Sequence, residues 1–285
     1  MLSPSDAAGI AQSVYPTYSQ QPQSEWALNL AARVERFHVR DAAPVVGESA
    51  EGCSGVYARD GYEALVIAIR GTQPQSLLDV VTDISSLRLA DSVFPGARVA
   101  QGFSEHASQL SEQVIGDCQR ARRERLPIWL VGHSLGGAAA YILASHCIQA
   151  GIAVAGCTTF GSPRPGDRAF ASVLGDRFTL MRCNHQRWVN GNDLITMLPP
   201  IGTRGFRHVG QPYYLTSKNQ PDAAGDYRGP SQYGTGWAQL LDQGWQSLRT
   251  LPRVVRSSLH RHSMSEYRTL TESLYQFISE GEYQW

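Results

Sequence analysis

The sequence predicts an α/β fold in which a mostly parallel central sheet is covered by helices on both faces. Segments of strand character alternate along the chain with segments of helical character, a pattern that favours parallel strands joined by helices. The strand segments, such as ALVIAIR at 64–70, are apolar throughout, as is typical of strands buried on both sides. One of them, at 127–132, runs through a glycine-rich turn directly into an alanine-rich helix.

In the first half of the chain the sequence predicts a hairpin and three helical segments. A short helix is predicted ahead of a polar loop at 16–24, and helix-like apolar spacing follows at 26–39. The strand at 64–70 comes after an Arg-Asp-Gly turn signal, so 55–57 is expected to pair with it. A helix is predicted at 104–125, because its arginine-rich end suits the negative end of the helix dipole.

The second half of the chain continues the alternation. After the strand at 127–132 come a helix at 135–150 and a strand at 152–161. A further strand is predicted at 177–183, and a second strand-like piece surrounds the Trp-Val pair at 188–189. We therefore expect the crossover connections of a parallel sheet throughout this half.

Composition limits the classes of function. The chain has 285 residues, enough for one large α/β domain or two small ones. Its 25 basic residues balance 25 acidic ones, so charge gives no argument for a nucleic-acid partner. Five scattered cysteines without a CxxC pair indicate reduced, mostly buried thiols rather than a disulfide framework or a zinc site. Nothing in the sequence predicts a metal or another cofactor.

The N-terminal sequence gives an expectation about location. Residues 1–20 contain neither a basic region nor a sustained apolar run, so they do not resemble a secretory signal. No stretch approaches the roughly eighteen continuous apolar residues that a membrane span requires. A cytoplasmic protein is expected on these grounds. Export by a route that reads no such signal, or loss of a signal, stays open.

The glycine-rich turn is a candidate nucleophile site. Gly132-His133-Ser134-Leu135-Gly136 fits the pattern G-x-S-x-G, with an apolar strand before it and a helix after it. A serine on such a turn has an exposed hydroxyl, and glycine is needed on both sides because larger side chains would collide. The alternative is a serine that only caps the helix beside packing glycines. His133 is predicted to be a packing residue rather than a catalytic base.

An activated serine needs an acid that orients its base. In hydrolases with this turn, the acid follows a later strand and the histidine comes last. Asp193 stands in a Gly-Asn-Asp turn between an apolar stretch and a double proline, and it is the best candidate. Asp167 is better explained as a solvated or turn-capping residue. Asp176 is expected just ahead of a strand, at the wrong end for catalysis.

The base is sought among the last histidines. Ser263 and Glu266 fit a capping box, which puts His262 in the loop immediately before a helix. His260 is two residues further out and is the weaker candidate. His208 lies in a strand-like segment and is expected to be a structural, buried or paired imidazole.

Two backbone positions are candidate oxyanion donors. The N–H of Leu135 stands at the helix start, where the dipole is positive. Thr72 ends the strand at 64–70 in a polar turn, from which its amide and hydroxyl would reach the site. The alternative for Thr72 is a simple strand-ending turn.

The combined motifs resemble those of the class 3 lipases, a fungal-lipase-like branch of the α/β-hydrolases. The resemblance covers about 55–217 and 260–280. Its main segments, in order, are VIAIRGT (66–72), QGF (101–103), VGHSLGGA (131–138), TTFGSPRPGDRAFA (158–171) and WVNGNDLITMLPP (188–200), extended by GFRHVGQPYYL (205–215) and HSMSEY (262–267).

The resemblance implies roles for the candidates. Ser134, Asp193 and His262 match the family's catalytic triad, while Thr72 and Leu135 match its oxyanion donors. The loop at Gly161, Pro163 and Arg164 matches a structural loop of the family. Pro165 replaces the family's usual valine, and Asp193 is followed by Leu194 where the family often has proline; neither departure removes a reactive group.

The implied protein is one α/β-hydrolase domain over 1–285 that hydrolyses acylglycerols or related lipid esters through an acyl-enzyme. Two alternatives remain: phospholipase A1 activity on the same triad, and a lipase-like binding protein without turnover. The partners expected are a lipid ester and transient contact with a membrane or lipid-droplet surface, with no nucleic acid. The oligomeric state is not predicted.

Two segments bear on the substrate. The resemblance implies a mobile lid at 73–90, and a fixed core helix is the alternative. Residues 218–258 form an insertion whose second part, rich in Trp, Leu and Arg, suits a flap over an acyl chain or at an anionic surface. A helix packed on the core is the favoured alternative for that second part.

Overall fold

The computed structural model describes residues 1–15, 38–71, 88–191, 193–199, 205–215 and 262–279, with side chains up to residue 273 in the last segment. Its helices are α1 (Pro4–Ser13), α2 (Gln101–Arg123), α3 (Leu135–Gln149), α4 (Arg168–Leu180) and α5 (Met264–Ser279), with a 3₁₀ helix at Leu194–Met197. Its strands are β1 (His38–Val46), β2 (Glu51–Arg59), β3 (Tyr62–Ile69), β4 (Leu89–Asp91), β5 (Arg98–Ala100), β6 (Ile128–His133), β7 (Gly156–Phe160), β8 (Gly166–Asp167), β9 (Asn184–Asn190), β10 (Phe206–Arg207) and β11 (Pro212–Leu215).

Within these residues, a seven-stranded sheet has the order β1-β2-β3-β6-β7-β9-β11. The first three strands pair antiparallel, and Gly55 lies opposite Val66 as the predicted hairpin requires. From β3 to β11 every pairing is parallel. The predicted mostly parallel sheet is therefore confirmed, and the carboxyl ends of β6, β7 and β9 share one edge.

Helices cover both faces of this sheet, as predicted. Leu65, Ile67 and Ile69 of β3 pack in a core with α2, α3 and α4. Val66 and Ala68, which point the other way because strand side chains alternate, pack in a second core with α1 and α5. Burial on both faces explains why these strands are apolar throughout.

A second, four-stranded sheet of the described residues has the order β10-β8-β5-β4 and is antiparallel. Its strands are two or three residues long. Segments this short contain no periodicity, so the sequence does not predict them.

The prediction of a strand at 177–183 is wrong. Residues up to Leu180 continue α4, whose Phe170, Leu174 and Phe178 recur at helical spacing and are buried. The strand begins only at Asn184, and Asp176 lies in the helix rather than ahead of a strand. Phe178 and Thr179, at the end of α4, have a high strand propensity. They favour a strand locally although the buried residues repeat every four positions.

Other boundaries also shift. Of the helix predicted at 26–39, the last two residues begin β1, and the remainder lies outside the described residues. The predicted strand at 152–161 is shortened to Gly156–Phe160. All five cysteines carry free thiols, four of them buried, as predicted.

The predictions for substrate-binding segments fall largely outside the described residues. This holds for Thr72, for the insertion at 218–258 and for 73–87 of the predicted lid, whose last two residues belong to β4. In the part of the chain that is described, no helix has the length and apolarity needed to cross a bilayer.

Candidate active site

Ser134 stands on a sharp turn between β6 and α3. Its backbone has φ of 57° and ψ of −130°, a conformation that side chains rarely adopt. A Cβ at Gly132 would come within 2.2 Å of the Gly136 carbonyl oxygen, and one at Gly136 within 2.3 Å of the Ile69 oxygen. Glycine is required at both positions because backbone passes directly over them, as predicted from the sequence.

The turn is held at both ends by backbone hydrogen bonds. The N–H of Ser134 donates to the Phe160 carbonyl at the end of β7, at 2.9 Å, and its own carbonyl accepts from Gly137 at 2.9 Å. Leu135 is the first residue of α3, so its N–H has no carbonyl of a preceding turn to donate to. The helix start therefore offers an amide beside the Ser134 hydroxyl.

His262 reaches the serine from the loop before α5. Its Nε2 lies 2.8 Å from the Ser134 Oγ, and its Nδ1 lies 2.7 Å from Oδ2 of Asp193. The loop is fixed by the start of α5, where Ser263 accepts the N–H of Glu266 at 3.3 Å, the first half of the predicted capping box. The structure thus brings Ser134, His262 and Asp193 into one hydrogen-bonded chain.

Asp193 is held at both carboxylate oxygens. It follows β9 and caps the 3₁₀ helix, where Oδ1 accepts from the Ile195 N–H at 3.0 Å. Oδ2 accepts from His262 and also from the hydroxyl of Tyr267 at 2.7 Å. The side chains of Asp193 and His262 are 0% exposed, so these contacts operate with little competition from water.

Tyr267 was missed as a site residue by sequence reasoning. Its hydroxyl donates to Asp193 and accepts from the Asn190 N–H at 2.9 Å, tying α5 to the end of β9. Burial and the Asp193 charge raise the pKa of Tyr267, so the phenol stays protonated as a donor. The signal for it in the sequence is a tyrosine in the first turn of the helix after His262, because a tyrosine buried there needs a partner for its hydroxyl.

Gly161 lies directly beneath the His262–Asp193 contact. It has φ of +57°, and a Cβ there would come within 2.8 Å of Asp193 Oδ2 and 2.9 Å of His262 Nδ1. This close approach gives a physical reason for glycine in the loop after β7.

The other candidates have structural contacts. Asp167 caps α4 by accepting from the Phe170 N–H at 2.8 Å, as predicted. His208 bonds the Thr196 carbonyl at 2.7 Å through Nε2, and burial lowers its pKa well below the ordinary value, which fits the predicted structural imidazole. His260 and Thr72 lie outside the described residues. His133 is buried, but it is hydrogen-bonded at both ring nitrogens rather than merely packed.

A serine on a glycine-flanked strand-to-helix turn, at the carboxyl edge of a mostly parallel sheet with helices on both faces, defines the α/β-hydrolase fold. The lipase of Rhizopus microsporus var. chinensis has a similar structure, with a TM-score of 0.59 and 23% identity over 74% of this chain and 73% of that one. Residues 66–203 match the sequence model of the family Lipase (class 3). Over these residues, slightly less than half of the chain, the protein is similar to the class 3 lipases.

Relatives by sequence are fungal. A lipase of Rhizomucor miehei is 27% identical over 57% of this chain and 44% of its own length. A secreted mono- and diacylglycerol lipase A of Penicillium cyclopium is 26% identical over 63% of this chain and 59% of its own. The chain thus spans about half the length of the curated relatives it matches.

These relatives correct the expected location. The cytoplasmic location inferred from residues 1–20 is wrong, because relatives such as the Penicillium enzyme are secreted, which points to an extracellular location.

Proposed function

We propose that the protein is a serine carboxylic-ester hydrolase that acts on acylglycerols or related lipid esters through an acyl-enzyme. The observation that supports this best is the hydrogen-bonded chain from Ser134 through His262 to Asp193, with contacts of 2.8 and 2.7 Å. An isolated serine hydroxyl is a poor nucleophile, and a histidine within hydrogen-bond reach that is oriented by a carboxylate is the arrangement that activates it.

Acylation begins when Ser134 Oγ attacks the ester carbonyl carbon. His262 Nε2 takes the hydroxyl proton as the new C–O bond forms, and the imidazolium is stabilised by Asp193. Negative charge develops on the carbonyl oxygen, close to the N–H of Leu135 at the positive end of α3. Collapse of the intermediate breaks the bond to the alcohol, which leaves with the proton from His262.

Deacylation repeats these steps with water. His262 removes a proton from the water as its oxygen attacks the acyl carbon, and then returns a proton to Ser134 Oγ as the acid leaves. Thr72 is proposed as the second oxyanion donor on the family resemblance. Losing one such donor typically lowers kcat by about a hundred- to a thousandfold.

Acylglycerols are the proposed substrates because the relatives include lipases and a mono- and diacylglycerol lipase. Transient contact with a lipid surface follows from this substrate class, since acylglycerols with long chains are found in such surfaces. The roles of 73–90 as a lid and 218–258 as a flap stay predictions, as do the single domain over 1–285 and phospholipase A1 activity.

The test compares two serines. Ser134 is buried, whereas the sequence predicted an exposed hydroxyl, and Ser145 is buried as well. Ser134→Ala is expected to abolish hydrolysis of a p-nitrophenyl ester and labelling by a fluorophosphonate. Ser145→Ala is the control: this buried serine of α3 donates its hydroxyl to the Ile142 carbonyl within its own helix, at 2.6 Å, and its loss should leave both activities intact. Hydrolysis by Ser134→Ala near the wild-type rate would reject the proposed nucleophile, and a wild-type protein that takes no label would favour a binding protein.

Substrate class is tested separately with a lipid panel. Release of fatty acid from tri-, di- and monoacylglycerols is compared with release from phosphatidylcholine, each at several chain lengths. Preference for acylglycerols is expected. Preference for phosphatidylcholine cleaved at the first acyl position would replace the proposal with phospholipase A1 activity.

A further inference from the structure

Behind the Ser134–His262 pair, three hydrogen bonds connect distant parts of the chain. The backbone N–H of Gly71 donates to the Tyr15 hydroxyl oxygen at 3.0 Å. That oxygen lies 2.9 Å from Nδ1 of His133, and His133 Nε2 lies 2.7 Å from the backbone carbonyl oxygen of His262. None of these contacts is used in the proposed chemistry.

The N–H of Gly71 at one end of this series and the carbonyl of His262 at the other fix the direction of each hydrogen bond between them. An N–H only donates and a carbonyl only accepts, so His133 must carry its proton on Nε2 to meet His262. Nδ1 is then an acceptor, and it receives the hydroxyl proton of Tyr15, whose oxygen accepts from Gly71. The opposite tautomer would set two lone pairs against each other 2.7 Å apart at the His262 carbonyl.

His133 remains neutral in this arrangement. Burial is the main reason that its pKa is lowered well below the ordinary value, and the neighbouring His262 lowers it further. The two imidazole rings lie 4.7 Å apart at an interplanar angle of 32°, and the ring of Tyr267 packs edge-on at 5.9 Å. A neutral ring avoids repulsion when His262 becomes positive during catalysis.

We infer that Tyr15 and His133 form a positioning relay. Through its hydrogen bonds the relay holds the backbone of His262 at a fixed distance from Gly71, which follows β3. This inference rests on the proposed function. It assigns a role to the N-terminal segment, which lies outside the family match at 66–203. That segment is anchored beside the base, because Gln12 accepts from Arg268 of α5 at 3.0 Å.

The close approach at Gly71 shows how tightly the relay fits. A Cβ at this glycine would come within 2.6 Å of the Tyr15 hydroxyl and 2.4 Å of the His133 carbonyl oxygen. Gly71 immediately precedes Thr72, the proposed oxyanion donor. Movement of Tyr15 would therefore displace both the base, His262, and Gly71, the residue before the proposed oxyanion donor.

The first experiment measures kcat and KM on a soluble p-nitrophenyl ester. Tyr15→Phe is expected to lower kcat roughly tenfold with KM unchanged, because the relay does not touch substrate. Tyr62→Phe is the matched control, since it loses one bond, from Trp129 Nε1 at 2.9 Å, away from the site. Equal kcat for both variants and wild type would overturn the inference.

Two substitutions at His133 separate positioning from packing. His133→Gln keeps a donor at the distance of Nε2, whereas His133→Asn is too short to reach the His262 carbonyl. The glutamine variant is expected to retain at least several-fold more activity than the asparagine variant. The double variant Tyr15→Phe/His133→Asn should be no slower than His133→Asn alone, because both changes break one relay. Losses that multiply would mean independent structural effects and would overturn the inference.

A readout independent of activity keeps the relay and the proposed function distinguishable. Nitrogen-15 NMR of the imidazoles should show His133 as the neutral Nε2–H tautomer, both in wild type and in Ser134→Ala. The opposite tautomer or a charged ring would overturn the relay even if the enzyme is active. If Ser134→Ala is inactive and Tyr15→Phe keeps full kcat, only the relay fails. If Ser134→Ala stays active, the proposed function fails and the catalytic role of the relay falls with it.

Discussion

The hydroxyl of Tyr267 and the imidazole of His262 donate to the same oxygen of Asp193, each at 2.7 Å. Removing the hydroxyl leaves Oδ2 with one donor fewer and frees the carboxylate to rotate away from the base. Tyr267→Phe is therefore expected to lower kcat roughly tenfold, since a hydrogen bond to a charged group contributes about 1.5–3 kcal/mol. Steady-state kinetics on a soluble ester measure this.

Another buried pair supplies the control for that change. Tyr57 also donates its hydroxyl to a buried aspartate, Asp6, at 2.8 Å, but on α1 and away from the serine. Tyr57→Phe should lower the melting temperature and leave kcat near the wild-type value. Equal losses of kcat in the two variants would show that Tyr267 acts through general stability.

Asp193→Asn tests the orientation of the base. An asparagine presents an amide N–H or a weaker oxygen to His262 Nδ1, so the imidazole adopts the wrong tautomer for taking the Ser134 proton. The expected loss of kcat is on the order of a thousandfold or more, with the fold retained. Asp167→Asn is the control, because asparagine also caps helices such as α4, and its activity should be unchanged. An active Asp193→Asn enzyme would exclude Asp193 as the orienting acid.

Gly161→Ala tests the close approach beneath the His262–Asp193 contact. The new methyl group would separate atoms that now lie 2.7 Å apart, and displacement of reacting groups by about 1 Å costs on the order of a hundredfold in rate. Gly151→Ala is matched to it in backbone conformation, with φ of +72°, but no atom of the described residues lies within 4 Å of a Cβ placed there. Both variants place an alanine in a left-handed backbone conformation, Gly161→Ala adds the steric overlap, and only Gly161→Ala should lose activity. Similar activities would mean that the site relaxes around the methyl group.

The sequence predicted the main sheet and the candidate residues because these depend on local patterns. The turn at Ser134 combines a strand, flanking glycines and a helix within one short segment, and His262 precedes a capping signal formed by Ser263 and Glu266. Contacts such as Tyr15 with His133, 118 positions apart, have no such local signature. The sequence predicts that His133 is a packing residue, because a residue directly beside the serine on such a turn points elsewhere. That reasoning contains no signal for the contact between His133 and the backbone of His262.

The predicted cytoplasmic location is wrong for a different reason. Residues 1–20 lack the pattern of one kind of export signal, and that absence does not determine location, which relatives such as the Penicillium enzyme indicate better. The strand misplaced at 177–183 reflects a local preference overridden by packing of Phe178 into the core.

Acid should destabilise the fold through its buried histidines, and His185 offers the clearest test. Burial, and then the charge of Arg187, lower the pKa of His185 from 6.5 to about 4, and its Nε2 lies 2.9 Å from the Tyr141 hydroxyl. Below pH 6.5 His185 is protonated in the unfolded chain but stays neutral in the folded protein. The contribution of the neutral His185 to stability is therefore complete above pH 6.5 and is lost as the pH falls towards 4. Urea unfolding at several pH values should give a falling free energy of unfolding, to which His106, with a pKa lowered to about 4, also contributes. In His185→Asn the slope between these pH values should decrease by about one proton. An unchanged slope would mean that His185 is already protonated in the folded protein, with Tyr141 turned away to bond only Thr159.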